Sequence, residues 1–201
     1  MGCDIHFFVE YRTPGDNGWH ADERHKICTD AFIGQDGKFH HDPDYTSVTD
    51  LGVGTKTLVH EGKEYLVTDY EGDDPLAIHR PYGLFGFLAD VRASMGTAII
   101  PPRGIPRDVS DIVRKAIDDY GGDGHSHHYL SLEEFEMVLG EWKKSAIEDA
   151  RQNHEESDWY ENAYQEIVDY IKDQIGKKSY ECEEGLFDTR TEARVVFFFD
   201  N

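Results

Sequence analysis

The last nine residues, Ala193-Arg194-Val195-Val196-Phe197-Phe198-Phe199-Asp200-Asn201, constrain the fold more than any other stretch. From Val195 to Phe199 every side chain is apolar, β-branched or aromatic, with no alternation. A short run of this kind reads as a strand buried on both faces. Left unpaired, it would expose a row of backbone donors and acceptors beside bare benzyl rings. A partner is available at the other end of the chain. In Asp4-Ile5-His6-Phe7-Phe8-Val9-Glu10-Tyr11, period-two alternation puts Ile5, Phe7, Val9 and Tyr11 on one face and Asp4, His6, Phe8 and Glu10 on the other. The expectation is a C-terminal strand placed centrally and paired antiparallel with the first.

Between these strands the pattern changes. Pro14-Gly15-Asp16-Asn17-Gly18 reads as a turn. Residues 19–55 are polar and rich in Gly and Asp, with weak strand material only at Lys26–Thr29, and loops are expected there. Residues 56–69 read as a hairpin turning at Glu61-Gly62-Lys63. Helical spacing follows at Leu84, Phe85, Leu88 and Val91, and more clearly at Val109, Ile112, Val113, Ala116 and Ile117, where Gly121-Gly122 ends the helix. Ser131-Leu132-Glu133-Glu134 is a capping-box pattern opening a helix that carries Phe135, Val138, Leu139 and Trp142. A last long helix is expected from Asp158 to Ile175, stopped by Gly176. The fold class is therefore α+β: a mainly antiparallel sheet containing both the N- and C-terminal strands, with helices packed on it. At 201 residues with no repeat or linker, one domain over 1–201 is expected.

Charge narrows the partners. There are 41 acidic against 20 basic residues, formally −21, and such a field repels polyphosphate backbones. Bulk nucleic-acid binding is excluded, while a small pocket for one nucleotide is not. The acid maintains solubility or attracts basic partners and cations. No apolar run approaches the roughly 18–20 residues that span a bilayer, and Met1-Gly2-Cys3-Asp4 lacks the basic start and apolar middle of a secretory signal. Cys3, Cys28 and Cys182 form no CxxC pair, so reduced thiols in the cytoplasm are expected, not a disulfide framework.

Two clusters could carry chemistry. Asp4 and His6 stand two apart on one strand, so their side chains share a face about 7 Å apart and could reach one cation. Imidazole with carboxylate suits zinc, manganese or iron. The second is Asp123-Gly124-His125-Ser126-His127-His128, expected as a tight bend between helices in which His125 and His127 converge. If the clusters meet, Asp4, His6, His125 and His127 would hold a divalent metal, zinc or manganese, with Asp123 assisting. The metal would lower the pKa of a bound water to give a hydroxide nucleophile. The plainer alternatives are hydrogen bonds from these groups to nearby loops, and a solvated loop that caps the Ser131 helix. His79 and Arg80 precede a helix start and could bind an anion, and Arg103 in Pro101-Pro102-Arg103-Gly104-Ile105-Pro106 could meet a phosphate. A carboxylate partner for Arg80 and a structural turn around Arg103 are the competing readings. Glu10 is either a base beside the site or a solvent-facing residue. Cys3 lies beside the site without a sequence signal for thiolate formation. No Walker loop, Rossmann glycine pattern, HExxH or GxSxG occurs.

The opening Met-Gly-Cys-Asp-Ile-His, the stretch Arg80-Pro81-Tyr82-Gly83-Leu84-Phe85-Gly86, Arg103-Gly104-Ile105-Pro106, Asp123-Gly124-His125-Ser126-His127 and the closing Val196-Phe197-Phe198-Phe199-Asp200-Asn201 together resemble a group of bacteriophage and prophage proteins that open with MGCDIH. The resemblance touches most of the chain, least so residues 13–75. It transfers no catalytic residue and implies only a phage setting in a bacterial cytoplasm. There, nucleotide metabolism and neutralising a host defence are the jobs it suggests, by analogy. Two functions are therefore carried forward. One is a metal-dependent hydrolase acting on a phosphoester or nucleotide, with His79, Arg80 and Arg103 binding substrate. The other is a non-catalytic protein that sequesters a small ligand or inhibits a host protein.

Overall fold

The computed structural model describes residues 2–14, 18–71, 78–177 and 189–200. The chain opens with β1 (Ile5–Arg12), the two-residue β2 (His20–Ala21), β3 (Ile27–Ile33), β4 (Phe39–Val48), β5 (Gly54–His60) and β6 (Lys63–Asp69). Helices α1 (Tyr82–Ala89) and α2 (Asp111–Tyr120) precede a single 3-10 turn, and β7 (His125–Ser131) follows it. Then come α3 (Leu132–Gln152), α4 (Asp158–Asn162), α5 (Gln165–Gln174) and the closing strand β8 (Glu192–Phe199).

The main sheet has the order β2-β1-β8-β7, with every neighbouring pair antiparallel. All eight residues of β1 pair with β8, from Ile5 opposite Phe199 to Arg12 opposite Glu192. The C-terminal strand is thus internal, as its unbroken apolar run requires. Its two faces are covered by different elements. Ile5, Phe7, Val9, Val195, Phe197 and Phe199 pack with side chains of α1, α3 and α5. Phe8, Val196 and Phe198 pack with Val113, Ala116 and Ile117 of α2. Each fully buried Phe or Val of this strand contributes about 1.5–3 kcal/mol of burial.

The outer edge of β1 faces only a two-residue strand, and irregular chain satisfies the rest of its backbone. The Val9 N–H donates to His25 Nε2 at 2.9 Å, Asp22 N–H donates to Val9 O at 2.8 Å, and Leu51 N–H donates to Phe7 O at 3.2 Å. His25 in turn donates from Nδ1 to Thr49 O at 3.2 Å. This lacing holds residues 49–51 against the sheet.

Three expectations need correction. Residues 19–55 are not mainly loops, because β3 and β4 form a hairpin. Its strands are largely exposed and polar, so they carry no hydrophobic period. The pairing jumps from Thr29 opposite Thr46 to Asp30 opposite Asp42, and the extra residues contain Pro43. A bulge is where a strand tolerates proline. His125–Ser131 is a strand on β8, not a bend between helices. The long final helix is broken at Ala163-Tyr164, where Tyr164 adopts φ 58°. The break puts the Tyr164 ring 5.7 Å from that of Trp142, while Ile167, Val168 and Ile171 still face the core. The capping box is present: Ser131 Oγ accepts the Glu134 N–H while Glu134 accepts the Ser131 N–H. The 56–69 hairpin is present as β5–β6. Most of the Pro14–Gly18 turn, and Cys182, lie outside the described residues. Among the described residues no helix is long and apolar enough to cross a membrane.

Candidate functional site

His6 is the second residue of β1, on the sheet face covered by α2, and its side chain is only 7% exposed. Two carboxylates flank it. Its Nδ1 lies 2.9 Å from Asp50 Oδ2, and its Nε2 lies 3.3 Å from Asp200 Oδ2, off the line of a good hydrogen bond. Both acids are held by the sheet. Leu51 N–H on Phe7 O fixes the loop carrying Asp50. Asp200 extends the β1–β8 ladder, since its Oδ1 accepts the Asp4 N–H at 3.0 Å and its N–H donates to Asp4 O at 3.2 Å. Burial alone would push the His6 pKa down. The hydrogen bond and charge of Asp50, followed by the contact with Asp200, outweigh it and raise the value above that of a free imidazole. The Tyr120 ring lies 4.0 Å from the imidazole and the Phe198 ring 4.8 Å.

Asp50 and Tyr120 also line a cleft of about 490 Å³ between β4, the end of β6 and the C-terminal half of α2. Tyr45 and Tyr70 stand on its walls, with Asp44, Lys115 and Asp119. Lys115 is already engaged: its ammonium donates to Thr46 O at 3.2 Å and to both oxygens of Asp119 at 2.9 and 2.8 Å. Burial, followed by the charges of Asp50 and Asp200, raises the Tyr120 pKa, so this hydroxyl stays protonated and can donate. His6 thus backs a partly exposed Asp50 that looks into a tyrosine-walled, net-negative cleft.

The structure deals with the predicted residues one by one. Asp4 and His6 are electrostatic neighbours, but the Asp4 carboxylate is taken by a two-armed ion pair with Arg80, with Nη2 on Oδ2 at 2.6 Å. That hydrogen bond is the main cause of the lowered Asp4 pKa. Arg80 therefore has the carboxylate partner of the plainer reading. His79 is exposed just before α1, and Asp123 is exposed in the single 3-10 turn.

The two histidine-bearing segments do reach the same sheet, and Phe198 stands between them. Its strand is flanked by β1 and β7, and its ring stacks on His6 at 24° and on His127 at 25°, with centroids 4.8 and 5.4 Å away. His125 and His127 are electrostatic neighbours, and the charge of His125 adds to burial in lowering the His127 pKa. A bulge at Ser126, φ 52°, adds a residue, so His125 pairs with Phe199 while His127 lies against Phe198. Phe198 and Phe199 point to opposite faces of β8. His125 Nδ1 is 3.0 Å from Ser126 Oγ, and the buried Nε2 atoms of His125 and His127 have no hydrogen-bond partner among the described residues. Among the described residues, no three His, Cys, Asp or Glu side chains are grouped to hold a metal ion.

The remaining candidates are structural in their contacts. Arg103 forks onto Glu134 at 2.8 and 2.5 Å, and its backbone N–H donates to His128 Nδ1 at 3.2 Å. His128 Nε2 faces Ile100 O at 3.2 Å, which makes it a fully satisfied core histidine. Glu10, far from meeting solvent, is completely buried: it accepts the Ser110 N–H that starts α2, at 2.7 Å, and pairs with Arg194 at 2.7 Å. Burial raises the Cys3 pKa, which opposes a nucleophilic thiolate.

Asp50, Asp200 and Tyr120 are the site residues that the sequence reading missed. Asp200 was within reach, because pairing the two terminal strands antiparallel places it opposite Asp4. Asp50 lies in a polar stretch with no period, and only the lacing of the β1 edge brings it to His6.

Compared with known proteins, the chain matches no family model, no curated sequence and no solved structure.

Proposed function

We propose that the protein is a binding protein that sequesters a cationic organic ligand in the cleft beside His6. The observation that carries this reading is Asp50, clamped by His6 and looking into a cleft walled by Tyr45, Tyr70 and Tyr120. Carboxylates attract an ammonium or guanidinium group, and tyrosine faces stabilise it further by about 0.5–2 kcal/mol each. A phosphoester fits the same walls poorly. Lys115 and Asp119 neutralise one another, which leaves Asp44 and Asp50 on the walls, so an anionic substrate needs an accompanying cation. The overall charge of −21 adds long-range attraction for cationic partners.

Titration calorimetry with arginine amide at low salt tests the reading. Saturable binding is expected, weakened about tenfold by Asp50→Asn, as loss of about 1.4 kcal/mol implies. Heat that stays linear to millimolar arginine amide, in a folded protein, removes the reading.

The metal-dependent hydrolase is the second reading, and one observation favours it. Among the described residues, Nε2 of His127 has no hydrogen-bond partner and Nε2 of His6 meets only Asp200, at 3.3 Å and off the hydrogen-bond line, on the same sheet face. Elemental analysis of protein purified without a histidine tag decides it. One zinc or manganese per chain, lost in both His6→Ala and His127→Ala, would make this the better account.

A further inference from the structure

We infer that the natural occupant of the cleft is an extended, basic stretch of a partner polypeptide; the inference rests on the cationic-ligand reading above. The cleft is only half of a longer depression. A second groove, of about 480 Å³, runs between β3 and the β5–β6 hairpin. The two share Tyr45, Ser47, Thr68 and Tyr70 along their common border. Together they run from Asp50 and Tyr120 at one end to Phe32, Ile33 and Leu58 at the other.

Three features of the joined groove select a polypeptide over a free amine. The first is length. The second groove alone follows Thr29–Ile33, five residues of β3. At about 3.3 Å per residue that strand spans roughly 16 Å, well beyond one amino-acid side chain. The second is alternating chemistry. Ile33 is half exposed and Tyr70 is 85% exposed, an unusual display of apolar and aromatic surface in so charged a chain. Asp30, Asp44, Asp50 and Glu71 stand among them. Extended peptides offer side chains to alternate sides, so Lys or Arg can meet the acids while apolar residues meet Ile33 and Leu58. The third is charge complementarity. The groove's lysines are already used, Lys56 on Asp69 at 3.0 Å and Lys115 on Asp119 at 2.8 Å. What remains for a partner is carboxylate and aromatic surface, and tyrosine is a residue type enriched in energetically dominant contacts.

The test uses the full chain and three probes: arginine amide, an end-blocked peptide of about eight residues alternating Lys with Leu, and the same peptide with Glu for Lys, a length set by the strand rise. The Lys peptide should bind at least about tenfold tighter than arginine amide, because it fills both halves. Ile33→Ser and Leu58→Ser, which touch only the second groove, should weaken the Lys peptide several-fold and leave arginine amide unchanged. Tyr70→Ser, at the shared border and too exposed to affect folding, should weaken both. The Glu peptide should not bind. If arginine amide binds but the Lys peptide is no tighter, or ignores Ile33→Ser and Leu58→Ser in variants with parental circular dichroism, the polypeptide inference falls and the cleft reading survives. If neither arginine amide nor the Lys peptide binds, both fall.

Discussion

The sharpest test of the fold's energetics is the ion pair that joins its first and last strands. Glu10 is fully buried, and its Oε2 accepts from Arg194 Nε at 2.7 Å while its Oε1 accepts the Ser110 N–H at 2.7 Å. Arg194 also reaches Asp108 with Nη1 at 2.8 Å and lies 4.2 Å over the Trp19 ring. Glu10→Met leaves a buried guanidinium with the half-exposed Asp108 as its one carboxylate partner among the described residues, and strips the acceptor from the start of α2. Breaking a buried pair on one side costs about 3–5 kcal/mol. For a chain of this size that lowers Tm by roughly 6–20 °C. Arg194→Met strands the Glu10 carboxylate at similar cost. The double substitution removes both desolvated charges, so its loss should fall at least about 2 kcal/mol short of the summed single losses. Urea unfolding followed by tryptophan fluorescence gives all four corners of the cycle. If the single losses simply add, Glu10 and Arg194 are not coupled, and the account of the strand junction is wrong.

Other consequences are as direct. Burial pulls the His128 pKa from 6.5 to about 4, so the folded state holds it neutral. The unfolded chain takes up that proton first, and stability should fall as pH drops from about 6.5 to about 4, by up to ~3 kcal/mol from this residue. Buried His25, also shifted down, adds loss of the same sign, whereas His6, shifted up, stabilises below 6.5 and loses that contribution as pH rises through its folded value. Urea midpoints at several pH values should therefore show a shallower acid slope in His128→Gln than in the parent. Ser131→Ala removes the cap of α3 and should cost about 0.5–2 kcal/mol by the same assay. Gly86→Ala should destabilise by more than about 1 kcal/mol despite the better helix former, because a Cβ there would sit 2.5 Å from Gly96 O and 2.9 Å from Ala93 Cα. An unchanged or raised Tm would show that the α1 backbone can move away.

The fold was legible where burial imposes a period. β1 alternates because α1, α3 and α5 cover one face while the other mixes His6 and Glu10 with Phe8. β8 does not alternate because both its faces are covered. The β3–β4 hairpin was illegible for the complementary reason. Its outward strands are held by backbone bonds and a bulge around Pro43, and backbone bonds leave no mark on side-chain pattern. The break before α5 was hidden because a residue with φ 58° can preserve an apolar stripe while ending the helix beneath it.

The site was half legible, and the dividing line is a single ring. Sequence reasoning brought the N-terminal strand and the His-rich segment towards one another, and the sheet does place β8 between them. Strand order sets the spacing of His6 and His127, because a central strand places its own side chain between its two neighbours. Here it contributes Phe198, stacked on both His6 and His127. The register that buries Phe198 also turns His6 towards Asp50 and Asp200, because His6 and Phe198 are direct cross-strand partners. The apolar packing that makes β8 the centre of the fold therefore also sets His6 behind Asp50 at the floor of the acidic cleft.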